Sequence, residues 1–202
     1  MKVAIIGTGY VGLVTGVCLA YKGHTVRCFD KDSDIISALK KGKTPIFEEG
    51  LEKLLTHSIS NNRIQFEVVS PSSLSEFETI IIAVGTPFSN GKIDLSQIED
   101  ASTMIGQALK LTNNFMSIIV KSTVVPGTTD TFVYNTIMKV SGKGAEDFGV
   151  GMNPEFLREG DAIRDFRYPD RIVVGSNSKK TVKRIESLYR PLIKKGANFL
   201  FT

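Results

Sequence analysis

Short apolar runs, rich in Val and Ile, alternate along the chain with longer stretches in which apolar residues recur every three or four positions. The runs predict strands over 3–6, 25–29, 65–68, 79–84, 117–121, 149–152, 171–174 and 199–201. The longer stretches predict helices over 10–22, 33–41, 48–58, 95–111, 128–141 and 179–192. Several strands are apolar at every position, such as Ile80 to Val84 and Ile118 to Val120, which suits burial on both faces. Together these features predict an α/β fold: a doubly wound, mostly parallel sheet with helices on both faces, formed by residues 1–202 as one domain. Asp30 to Gly42 and the segment Pro45 to Gly50 connect the second strand to a helix pair, a modest elaboration of the usual crossover. The chain stops at Thr202, directly after an apolar strand, which reads as a cut at a domain edge.

Chemistry enters at the first strand. It ends on Gly7-Thr8-Gly9-Tyr10-Val11-Gly12, a helical pattern follows, and the second strand delivers Asp30. Strand, glycine turn, helix, strand and acid in that order is the dinucleotide-binding arrangement of a Rossmann-type sheet. Gly7 would permit the tight turn and Gly9 a close approach of backbone to a pyrophosphate. Gly12, helped by Gly16, would bring the helix close to the sheet. The phosphates would sit at the helix N-terminus, where unpaired N–H groups favour an anion. A carboxylate at Asp30 would accept from a ribose diol and repel a 2′-phosphate, so the expected cofactor is NAD. Lys2 followed by apolar Val3 to Ala20 superficially resembles a secretory leader. Glycines at fingerprint spacing and the lack of a small-residue cleavage site before Lys22 argue against it.

Composition narrows the partners without redirecting the argument. The 202 residues are 42% hydrophobic and 23% charged with a net charge of +4, an ordinary globular balance. Lys179, Lys180, Lys183, Arg184, Lys194 and Lys195 carry the visible excess, and their spacing reads as a solvated helix face. A nucleic-acid surface would need interleaved aromatics or a known motif. No stretch beyond the first approaches the length of a membrane span. Cys18 and Cys28, on the apolar side of a helix and inside a strand, read as core thiols of a reducing, cytoplasmic compartment. Nothing in the pattern calls for a metal.

Three further segments fall just past strand ends, where a parallel sheet places its ligand. Val84-Gly85-Thr86-Pro87 either runs along a dinucleotide or simply turns the chain. Ser122 and Thr123, with Val124, Pro126 and Gly127, either cap a turn or face a ligand. The richest is Asn153-Pro154-Glu155-Phe156-Leu157-Arg158-Glu159-Gly160. Pro154 biases Asn153 towards extended backbone, so the strand should end there. If the chain is helical from Phe156, Glu155 and Glu159 share a face, at a cost of a few tenths of a kcal/mol. That spacing suits either water-holding and proton transfer or a solvated, acid-rich helix start.

Taken together, Gly-Thr-Gly-Tyr-Val-Gly at 7–12, Gly-Thr-Pro at 85–87, Lys-Ser-Thr-Val at 121–124, Asn-Pro-Glu-Phe-Leu-Arg-Glu-Gly at 153–160 and Pro-Asp-Arg-Ile-Val at 169–173 resemble the N-terminal, NAD-binding part of the UDP-glucose/GDP-mannose dehydrogenase family. The resemblance leans to its UDP-glucose branch and covers essentially the whole chain. It implies a four-electron oxidation of the C6 alcohol of a UDP-sugar to a carboxylate, with two NAD+ reduced in turn. By matching motifs, Gly7 to Gly12, Asp30, Lys31, Val84 to Pro87, and Ser122, Thr123 and Val124 would line the NAD site. Glu155 would serve as general acid/base, Thr123 would help position a water, and Glu159 would lie near the nicotinamide. Glu155, Phe156, Leu157, Arg158 and Glu159 would contact the nucleotide sugar.

The resemblance also implies parts that these residues lack: a central helix carrying a lysine and an asparagine and most dimer contacts, and a later domain with a cysteine nucleophile. Neither Cys18 nor Cys28 has the context to replace that thiol, so the fragment alone is expected to be inactive. The full-length protein is expected to be a homo-oligomer. Ile35 stands where some relatives carry an arginine, and Lys31 is expected to meet the cofactor's charge instead. GDP-mannose and UDP-N-acetylmannosamine dehydrogenases are alternatives within the family. A module that binds NAD without catalysis is an alternative outside it.

Overall fold

In a computed structural model, which describes residues 1–89 and 91–202, the first half of the chain forms β1 (Lys2–Ile6), α1 (Tyr10–Tyr21), β2 (Thr25–Asp30), α2 (Ser33–Lys40), α3 (Leu51–Ser60), β3 (Ile64–Val68), α4 (Pro71–Leu74) and β4 (Thr79–Ile82). A two-residue hairpin, β5 (Phe88–Ser89) and β6 (Lys92–Ile93), precedes α5 (Ser96–Leu109) and β7 (Met116–Val120). A π-helical turn (Thr128–Val133) leads into α6 (Tyr134–Ser141). Then come β8 (Phe148–Met152), α7 (Ala162–Arg167), β9 (Arg171–Val174), α8 (Lys179–Ile193) and β10 (Asn198–Phe201).

Six strands form one parallel sheet in the order β3-β2-β1-β4-β7-β8. The order reverses between β1 and β4, which is the doubly wound arrangement the sequence predicts. β9 and β10 pair separately and in parallel, and an antiparallel bridge between Met152 and Gly175 fastens them to the end of β8. The strands are apolar throughout because each face has its own core. Val3, Ile5, Ile81 and Ile119 pack into one cluster with α1, α2, α3, α7 and α8. Ala4, Ile6, Ile80, Ile82, Ile118 and Val120 face the other, with α4, α5 and α6. The alternation is the two-residue period of a strand applied to a sheet covered on both sides.

Helix starts follow short-range polar rules. The Asp32 carboxylate accepts from the N–H groups of Asp34 (2.8 Å) and Ile35 (3.1 Å) to open α2. The Ser178 hydroxyl accepts from Thr181 N–H at 3.3 Å to open α8. α1 is different: its N-cap is Gly9, with no side-chain cap and no acidic residue in the first turn.

Three expectations are corrected. The helix expected at 48–58 starts at Leu51, because Gly50 takes φ +80° as its N-cap and Glu48 is pulled into another role. The helix expected at 128–141 begins as a π-helical turn after Gly127, at φ +88°. The chain from Phe156 is not helical: 153–158 has no regular structure and 159–161 is a turn, so Glu155 and Glu159 do not share a helix face. α4, α7 and the β5–β6 hairpin are additional short elements without a pattern long enough to show in sequence. Among the described residues, no helix is long and apolar enough to cross a membrane.

Candidate functional site

The parallel register brings five loop segments to one edge, the carboxyl ends of β1, β2, β4, β7 and β8. Side chains then stitch neighbouring loops together. Asp30 Oδ2 accepts from Thr8 N–H (2.8 Å) and from its hydroxyl (2.6 Å), joining the end of β2 to the glycine turn. The Ser122 hydroxyl donates to Val84 O at 2.7 Å, and the Thr86 hydroxyl donates to Thr123 O at the same distance. Lys121 Nζ donates to Asn153 Oδ1 at 3.3 Å, joining the ends of β7 and β8. The Thr123 side chain remains exposed, so its hydroxyl is open to solvent.

The glycines do different work within this frame. Gly7 sits at φ +99°, and a Cβ there would lie 2.5 Å from Ala83 O. A Cβ on Gly12 would meet Gly7 O at 2.1 Å, so both residues must be glycine for the turn to close against β4. Gly9 is the reverse: nothing lies within 4 Å of the place its Cβ would occupy. Open space at the uncapped N-terminus of α1, in front of its free N–H groups, is what an incoming anion requires.

Beside this turn is a cavity of about 610 Å³. Gly7, Gly9, Asp30 and Lys31 form one wall, and Val84, Gly85, Gln97, Met104 and Gln107 form the other. The size suits a nucleoside portion of a cofactor. Ile35, Val69 and Met104 give it apolar surface, and Asp30 supplies an acceptor at its rim. These residues fit NAD. Lys31 lines this cavity and is exposed, and Ile35 adds an apolar contact rather than a charge. The α5 residues Gln97, Met104 and Gln107 were not predicted from sequence, since no motif marks a helix flank that faces a cavity across the sheet edge.

The glutamate segment lies on the other side of the edge. Glu155 is half-buried and its carboxylate accepts from Leu157 N–H at 2.7 Å, while Phe156 and Glu159 are exposed. The Arg158 guanidinium is committed within the chain, forking onto Asp165 through Nε (3.1 Å) and Nη2 (2.7 Å). That pairing holds the Asp165 carboxyl below its usual range. Behind Glu155 is a second cavity of about 140 Å³, lined by Lys121, Asn153, Glu155, Arg171 and Tyr189 among others. Lys121 is 5% exposed, and burial lowers its ammonium to about 8, against an opposing attraction from Glu155. Asn153 is the hub there: Tyr189 Oη donates to its Oδ1 at 2.8 Å, and its Nδ2 donates to Val173 O at 2.8 Å. Sequence reading passed over Lys121 and Tyr189 because a lysine ending a strand and a tyrosine in a helix look ordinary.

Both thiols are inert by environment. Burial pushes Cys18 up to about 12 and raises Cys28 as well, so neither supplies a thiolate nucleophile.

A sequence model of the UDP-glucose/GDP-mannose dehydrogenase family, NAD binding domain, matches residues 1–193. The chain belongs to that family. A UDP-glucose 6-dehydrogenase of Rickettsia prowazekii is 42% identical over 203 aligned residues, covering 100% of this chain and 45% of that protein. One from Bacillus subtilis is 43% identical over 192, covering 95% of the chain and 42% of that protein. Among solved structures, a ternary complex of the Pseudomonas aeruginosa GDP-mannose dehydrogenase superposes with a TM-score of 0.95 at 38% identity, covering all of this chain and 46% of that one. The chain therefore spans less than half the length of these three dehydrogenases. As the family's NAD-binding domain it has the Rossmann-type sheet and the cofactor expected from its sequence.

Proposed function

We propose that this chain is the cofactor-binding part of a UDP-glucose 6-dehydrogenase, which oxidises the sugar's C6 alcohol to a carboxylate with two NAD+. The observation that carries the reading is the convergence of the glycine turn, the Ser122–Thr123 loop and the Glu155 loop on one sheet edge. Relatives named UDP-glucose 6-dehydrogenase, at about 40% identity over the whole chain, favour that substrate.

Gly7 to Gly12 would receive the pyrophosphate and Asp30 a ribose diol, with Lys31 near the cofactor's charge. Val84 to Pro87, Ser122, Thr123 and Val124 would line the rest of the NAD site. When bound, NAD+ supplies the hydride acceptor. Overall, four electrons leave C6 and a water contributes one oxygen, so a base is needed at the hydrolytic stage. Glu155 has the chemistry to take that water's proton, and the exposed Thr123 hydroxyl to orient the water without adding charge. Glu159 would sit towards the nicotinamide, and Glu155, Phe156, Leu157, Arg158 and Glu159 would meet the UDP-sugar. The nucleophilic thiol must come from outside residues 1–202, in a further domain. The whole enzyme would be a cytoplasmic homo-oligomer, without nucleic acid or membrane as partner.

Titrating the chain with NADH and NADPH tests the cofactor role. NADH is expected to bind at least about tenfold tighter, since a buried phosphate beside a carboxylate is penalised. Equal affinities, or none, would remove Asp30 from the site. The full-length protein should turn over UDP-glucose in preference to GDP-mannose, and the reverse preference would move it to the other branch of the family.

A further inference from the structure

Three segments far apart in sequence meet at a buried carboxylate that the chemistry above does not use. Glu48 is 6% exposed and joins no ion pair among the described residues. An acid taken out of water without a cation costs several kcal/mol unless hydrogen bonds replace its hydration. Glu48 has such replacements. The Tyr10 hydroxyl donates to its Oε2, Gly160 N–H donates to the same oxygen at 3.0 Å, and Ile163 N–H approaches Oε1 at 3.5 Å. Tyr10 Oη also lies 3.1 Å from Gly160 N and 3.3 Å from Arg158 O, so it sits within the turn as well as beside the carboxylate. Burial and the bond to Glu48 together push the Tyr10 phenol up to about 12, which keeps it a donor at any working pH.

The consequence lies in what each partner is attached to. Tyr10 is the first residue of α1 and follows Gly9, so its backbone belongs to the turn that would receive the pyrophosphate. Gly160 directly follows Glu159 and stands at φ +88°, a conformation that fixes how the glutamate segment leaves the turn. An apolar residue at position 48 would fill the space at lower desolvation cost, but would link nothing.

We infer that Glu48 is a positioning residue that couples occupancy of the dinucleotide turn to the placement of the Glu155–Glu159 segment, by way of the Tyr10 hydroxyl and the Gly160 amide. The inference rests on the NAD-binding reading. Bound cofactor, by ordering the start of α1, would through this junction order residues 160–163, which lie beyond the residues proposed to touch it.

The test is amide hydrogen exchange of residues 160–163, followed by NMR in this chain with and without saturating NADH. In the wild type, NADH should slow exchange there about tenfold, at the low end of typical inter-site coupling. In Glu48→Leu, which can accept from neither group, NADH should still bind, but the added protection should fall to less than about twofold. A purely structural role would change exchange in the absence of NADH and leave the NADH-dependent ratio intact. Should Glu48→Leu not fold, Tyr10→Phe, read at an NADH concentration that saturates that variant, retains the carboxylate-to-Gly160 bond and tests the same link. NADH-dependent protection that is absent from the wild type, or equal in the variants, overturns the coupling while leaving cofactor binding intact. No NADH binding at all would overturn the proposed function, and the coupling with it.

Discussion

The buried Lys121 gives a prediction whose sign and size both follow from its surroundings. Its ammonium is lowered from an ordinary 10.5 to about 8, chiefly by burial. That lowering corresponds to about 3 kcal/mol of free energy needed to keep the charge in the folded chain at pH 7. Its compensating bonds are long, 3.3 Å to Asn153 Oδ1 and 3.5 Å to Asn153 O, and together are worth about 1 kcal/mol. Lys121→Met, similar in volume, should therefore make the chain about 2 kcal/mol more stable at pH 7, raising Tm by about 4–8 °C. The pH dependence is the sharper part. Below pH 8 both folded and unfolded chains hold this proton, and the contribution is flat. Between pH 8 and about 10.5 the folded chain has lost it while the unfolded chain keeps it. The unfolded state then binds more protons, so wild-type stability should rise with pH across that window. The variant lacks that rise, so its advantage should vanish at about pH 9.5, and by pH 10.5 the wild type should be the more stable by about 1 kcal/mol. Urea unfolding of both proteins at intervals from pH 7 to 10.5 measures the difference directly, with other titrating groups cancelling. Parallel curves, or a variant less stable at pH 7, would show that Lys121 is solvated or paired in a way this packing does not provide.

Two glycines three residues apart should separate folding from binding. Gly9→Ala, with nothing within 4 Å of the new Cβ, should leave Tm unchanged and weaken NADH binding about tenfold or more, as read by fluorescence titration. Gly12→Ala drives a Cβ to 2.1 Å from Gly7 O and should cost about 1–3 kcal/mol or more in thermal unfolding. Thr8→Val keeps the shape of a side chain that is 1% exposed but removes the 2.6 Å bond to Asp30. It should lose about 1.5–3 kcal/mol of stability by urea titration, and a wild-type midpoint would mean that the bond does not hold the turn. In the full-length protein, Glu155→Gln should stop turnover at the hydrolytic stage while NADH binding persists. Full turnover in that variant would remove Glu155 as the base.

What could be read from the letters alone was whatever is encoded locally. Strands and long helices show themselves because burial on one or two faces imposes a period of two or of 3.6 on neighbouring residues. The glycine turn is legible for a related reason: steric demands at Gly7 and Gly12 act within a few residues and leave a fixed spacing. Asp30, Ser122–Thr123 and the Glu155 segment could be picked out because each stands at or just past the end of an apolar strand. The sheet order then had to bring them to one edge.

Only the folded chain decided the rest. Whether the residues after Asn153 would coil into a helix depended on Arg158 finding Asp165, Gly160 finding Glu48 and Asn153 finding Tyr189. The last two partners stand more than thirty positions away. Lys121 and Glu48 look like surface residues in sequence, because charge predicts exposure unless a distant element covers it. α8 covers the first, and the turn at Gly160 covers the second. The α5 wall of the large cavity has no motif because a cavity is a property of the space between elements. Local sequence set the period and the turns; long-range packing chose which polar groups lost their water and what replaced it.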